Sequence, residues 1–89
     1  MAKAEIDTDC VKNIIRKFRE TEDIIIGASD KISSSKDDAG ETWKDGFYQE
    51  FKQIVEEIEA AAYKAAESIE TDVCQELEKI VMKAENIKF

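Results

Sequence analysis

The sequence predicts an all-α fold, an antiparallel two-helix hairpin that dimerises into a four-helix bundle. Three observations carry this expectation. Apolar residues recur at steps of three and four along two long stretches, the period of a helix and not of a strand. The 89 residues contain no proline, so nothing forces a break inside a long helix. Between the two stretches lies a single cluster of helix-disfavouring residues, Ser33 to Gly40.

Helix one is expected over about 8–35. Asp7, Thr8 and Asp9 can each cap its exposed amides, and the acids suit the positive end of the helix dipole. Its apolar stripe runs Val11, Ile14, Phe18, Ile25 and Ile32, with Thr21 and Ala28 at the small positions. Ile24-Ile25-Ile26 alone would suit a short strand, but no second strand is available to pair with it.

The turn is expected at about 36–42. Its serines and aspartates compete for backbone hydrogen bonds, and Gly40 would supply the left-handed conformation of a helix end. Helix two follows over about 43–86. Thr42 and Asp45 have the spacing of a capping box, which makes Trp43 the first helical residue. The stripe then runs Phe47, Phe51, Ile54, Ile58, Ala61, Ala65, Ile69, Val73, Leu77, Ile80, Ala84 and Ile87. Its consecutive steps of four between Ala61 and Leu77 depart from a strict heptad. Alanines at 60, 61, 62, 65 and 66 thin the rod where another helix could approach. At ~1.5 Å per residue the arm is roughly 65 Å long.

Both stripes are wider than one seam requires. A lone hairpin of this size would leave much of each stripe wet and be marginally stable, whereas pairing two hairpins buries the rest. The expected hairpin and dimer core is Ile14, Phe18, Ile25 and Ile32 with Phe47, Ile54, Ile58, Ala61, Ala65, Ile69 and Leu77. The partner is a second copy or a paralogous hairpin.

Charge and composition narrow the function. The net charge is -8, and most of the excess acid lies in the second half, where seven basic groups face fourteen acidic ones. Nucleic acid and anionic membrane surfaces are poor partners for such a chain. The longest apolar run, Ile24 to Ala28, is too short for membrane insertion, and Met1 to Asp7 lacks the apolar core of a signal peptide. Without histidine there is no Ser-His-Asp or Cys-His set, and zinc would need more thiols than Cys10 and Cys74. The glycines at 27, 40 and 46 fit no phosphate loop, and carboxylates such as Glu56, Glu57 and Glu59 or Glu76 and Glu78 read as a solvated helix face. No enzyme activity and no cofactor are expected. Cys10 and Cys74 read as free thiols of a reducing compartment, although a bend near residue 42 would set them at equal distances from it.

The corner is the most specific feature. Trp43 is the only tryptophan, and it stands at a turn, in Gly40-Glu41-Thr42-Trp43-Lys44-Asp45-Gly46, followed by Tyr48 and Phe51. With the Ile6-Asp7-Thr8-Asp9 opening, these residues make the chain resemble the WXG-type (ESAT-like) small proteins of type VII (ESX) secretion systems. The resemblance implies a head-to-tail dimer that starts in the cytoplasm and is secreted folded, without a cleaved signal peptide, a role often associated with virulence. It also implies a secretion-system component as a second partner, recognising Trp43, Asp45, Tyr48 and Phe51. In the family the Trp corner lies beside a Tyr-x-x-x-Asp/Glu signal that follows helix two of the other subunit.

The chain departs from that pattern twice. Asp45 stands where the family has glycine, and Val81 to Phe89 contains no tyrosine. Tyr63 and Glu67 have the signal's spacing but fall in mid-helix, where a surface tyrosine is ordinary. Two other functions fit the same residues: a non-exported structural coiled-coil or adaptor, and a chaperone-like targeting partner of a larger toxin that supplies the missing signal. For Trp43, the two structural expectations are a plug packed on Phe47 and the end of helix one, or a part-exposed recognition surface.

Overall fold

In the computed structural model, which describes residues 7–86, the chain is a helical hairpin, and no strand occurs among the described residues. Helix α1 spans Thr8–Thr42, and the second arm comprises α2, Gly46–Ser68, and α3, Gln75–Asn86, joined by the π-helical turn Ile69–Cys74. The hairpin is a rod with extents of 70 × 16 × 15 Å. Ile24 to Ile26 lie inside α1. Ile6 of the family-like opening and Ile87 of the apolar stripe fall outside the described residues.

At its start α1 is capped by Asp7, whose side chain accepts from the amide of Cys10 at 3.1 Å. It does not stop at residue 35. Through the serine-rich stretch, Ser35 turns its hydroxyl back onto the carbonyl of Lys31 at 3.1 Å, so its polar group is satisfied inside the helix. Ser29 is buried and Ser33 half-buried, which makes these small residues part of the inter-helix seam. The expected turn at 36–42 is therefore helix, and the true turn is Trp43 to Asp45.

Gly40 is also not there for a left-handed backbone, since no glycine among the described residues has positive φ. A Cβ at this position would lie 2.5 Å from the hydroxyl oxygen of Tyr48, so the glycine makes room for that ring. The Tyr48 hydroxyl donates to the Lys36 carbonyl at 3.0 Å and ties the two arms together beside the turn.

The seam lies beside the expected stripe. Ile15, Val55, Ala66, Cys74 and Val81 are the buried apolar residues. Of the expected core, Ile25, Ile69 and Leu77 are half-buried, while Ile14, Phe18, Ile32, Phe47, Ile54, Ile58, Ala61 and Ala65 are exposed in the hairpin. The correction has a simple cause: a stripe wider than one seam has two sides, and the arms close along the side with smaller residues. Polar contacts fix the register, with Lys12 paired to Glu85 at 2.8 Å, Lys36 to Glu59 at 3.4 Å, and Arg19 to Glu70 and Glu78 at 2.9 Å each.

The steps of four between Ala61 and Leu77 coincide with a break in the regular α-helix. The π-helical turn falls inside that stretch and shifts the phase of the arm, although the seam itself runs through Ala66 and Cys74 while Ala61 and Ala65 are exposed. There the amide of Gln75 reaches back five residues to the Glu70 carbonyl.

Candidate functional site

The candidate site is the corner. The backbone leaves α1 at Trp43, whose amide still donates to the Ala39 carbonyl at 2.8 Å. Lys44 folds back and donates to the Gly40 carbonyl at 2.7 Å, placing a cation at the negative end of α1. Asp45, rather than Thr42, caps the second arm: its Oδ1 accepts from the Phe47 amide at 3.0 Å. Thr42 is the last residue of α1, so the expected capping box does not form and Trp43 lies outside helix two.

The same Asp45 oxygen accepts from the Trp43 indole Nε1 at 2.7 Å. One carboxylate thus starts a helix and sets the orientation of the ring. The indole stacks on Phe51 with centroids 5.5 Å apart and meets Tyr48 edge-on at 5.8 Å. Tyr48 and Phe51 lie 6.4 Å apart and complete the cluster. Phe47 is not part of it and stands 69% exposed. Trp43 packs on Phe51 and Tyr48 and not on Phe47 as the plug expectation had it, and 36% of the residue remains open to solvent. The four residues named from sequence are brought together, but Asp45 acts as a cap and indole anchor.

Tyr63 is a mid-helix surface tyrosine whose hydroxyl donates to Asp30 across the seam at 3.2 Å. Proximity to that carboxylate raises its pKa. Cys10 and Cys74 are both free, one exposed and the other buried, because the bend at 43–45 is too far along the chain to set them opposite each other.

Sequence reasoning missed a polar layer at the π-helical turn. Arg19 forks onto Glu70, with Nε 3.1 Å from Oε1 and Nη2 2.9 Å from Oε2, and the same Nη2 also reaches Glu78. Bonding to Arg19 holds the Glu70 carboxyl below its ordinary pKa. Glu22 is pushed up, first by desolvation and then by its contact with Glu70. Burial and the neighbouring Glu22 carboxylate push the fully buried Cys74 thiol up as well, which makes it a poor nucleophile. Ligating atoms of Glu22, Glu70 and Cys74 lie within 4.8 Å of one another, close enough for a small cation. Both oxygens of Glu70, however, are already engaged by Arg19. The nearest sequence signal was the drift of the apolar steps from a strict heptad, which pointed to neither the wide turn nor the charges opposite it.

At the same end, a surface groove of about 610 Å³ is floored by Ile15, Val81 and Met82. Its cations Lys12, Arg16 and Arg19 are all paired with carboxylates of the hairpin itself. No helix is long and apolar enough to cross a membrane among the described residues. No family model matches the chain, and no curated protein or solved structure matches it either.

Proposed function

We propose that this chain is a small protein of a type VII (ESX-like) secretion system, of the WXG type, exported as a folded helical dimer and acting through contact rather than catalysis. The observation that carries the reading is the corner. An indole held by Asp45 and backed by Phe51 and Tyr48 offers a fixed, partly open aromatic surface at one end of a rod. A turn needs no such group for its own sake, whereas a recognised end does.

The dimer is supported by surface area. The chain exposes 6835 Å². A compact monomer of its mass would expose about 5,300 Å². Part of the difference is rod shape. Among the exposed residues are Ile14, Phe18 and Ile32 from α1 and Ile54 and Ile58 from α2, large apolar side chains that a partner hairpin would cover. A standard interface takes about 800 Å² from each partner, which is a small part of the surface this rod exposes. The partner is a second copy or a paralogous hairpin.

An export assay in a type VII-competent host tests the reading. Trp43→Ala should leave helicity and the dimer intact and reduce export by about tenfold or more, in line with loss of a buried aromatic anchor at an interface. Unchanged export of Trp43→Ala would sink the role assigned to the corner and leave an adaptor function standing.

A further inference from the structure

The second arm carries two apolar stripes one residue out of phase beyond Ala66. One runs through Cys74 and Val81, both buried. The other runs through Val73 and Ile80, half-buried and 42% exposed respectively. In an unbroken α-helix, residues seven apart sit about 20° from one another around the axis, and residues eight apart about 80°. Ala66 and Cys74 are eight apart yet share the seam. The π-helical turn makes this possible, because a turn closed by five-residue hydrogen bonds absorbs roughly one extra residue.

Without that turn, Val73 and Ile80 would take the seam and Cys74 would rotate by about 100° toward solvent. The alternative is fully apolar, so hydrophobic burial alone does not choose the observed register. Arg19 does. Glu70 and Glu78 are also eight apart, and they reach one guanidinium only because the wide turn brings them to the same face.

We propose that Ile69–Cys74 is a register switch in the second arm, held in its wide-turn setting by the two contacts of Arg19 with Glu70 and Glu78, and that its release exchanges the Cys74/Val81 stripe for the Val73/Ile80 stripe. The exchange alters the surface this end of the rod presents, exposing the Cys74 thiol and hiding Ile80. π-helical turns inside α-helices are rare and recur at functional positions, as a stored choice between two packings would require. The device is independent of the export reading.

Thiol labelling tests it. In a Cys10→Ser chain, a maleimide reports Cys74 alone. Arg19→Gln should speed labelling by about tenfold at neutral pH while the helical circular dichroism stays unchanged, as expected for a local opening. Removing the exposed Thr71 makes Ala66 and Cys74 seven apart, so an ordinary α-helix keeps Cys74 in the seam. In that shortened chain Arg19→Gln should no longer speed labelling, and Ile80→Lys in the full-length chain should suppress it likewise. If Arg19→Gln costs the chain its helicity, Glu78→Ala replaces it, since that change removes the Glu78 contact and leaves the fork onto Glu70. An unchanged labelling rate, or a rise that persists without Thr71, would mean simple loosening and overturn the switch.

Discussion

Asp45 does through one oxygen what two residues often share. Its Oδ1 accepts from the Phe47 amide and from the Trp43 indole, so the start of the second arm and the orientation of the ring are set together. Asp45→Ala removes the cap, which costs about 1 kcal/mol of stability. It also frees the indole. Urea unfolding should show the loss, and the Trp43 emission should become more easily quenched in the folded state. A variant with normal stability and unaltered quenching would mean that Asp45 is dispensable at the corner. The sequence made Trp43, Asp45, Tyr48 and Phe51 legible as a group but misassigned the cap to Thr42, because a side chain with the right spacing does not reveal where a helix ends. Gly40 was misread for a related reason. A glycine near a turn suggests unusual backbone, and only the position of Tyr48 shows that it was needed for space.

The elements repeat this lesson on a larger scale. Helical periodicity gave the two arms and their direction, since it depends only on local sequence. It could not give which side of a wide stripe closes the hairpin. That choice depends on the opposing arm, where small residues such as Ser29 and Ala66 let the axes approach. The steps of four from Ala61 to Leu77 marked a departure from a strict heptad, but neither the π-helical turn within it nor the polar layer that Arg19 builds across it.

This layer predicts a pH dependence. Glu70 is held low by Arg19, so its contribution is present above the ordinary glutamate value and lost as pH falls through the lowered one. Glu22 is pushed up by desolvation and by Glu70, so its contribution is present below the ordinary value and lost as pH rises through the raised one. Arg19 and Cys74 are the other groups facing this pair, and Gln75 hydrogen-bonds Glu70. Thermal melts should therefore show greatest stability in acid solution around the ordinary glutamate value of roughly 4.3, where both contributions are present. Glu22→Gln should flatten the fall on the alkaline side. A melting temperature that keeps rising to neutral pH and ignores Glu22→Gln would contradict the arrangement.

For the whole molecule, the rod keeps its largest side chains on the outside. Ile54 is 56% exposed, and Ile58, Ile14, Phe18 and Ile32 are also exposed, while the buried seam holds residues no larger than Ile15. A hairpin packed this way leaves large apolar side chains of both arms in solvent. Under the proposed function, those side chains face another hairpin and the aromatic corner faces a secretion component. The direct test is the mass in solution by light scattering at micromolar concentration, on the chain alone and with Ile54→Glu and Ile58→Glu together. Self-association gives twice the chain mass of 10.1 kDa for the unaltered protein and a monomer with reduced helicity for the double variant. A fully helical particle of 10.1 kDa from the unaltered chain would contradict self-association through these side chains.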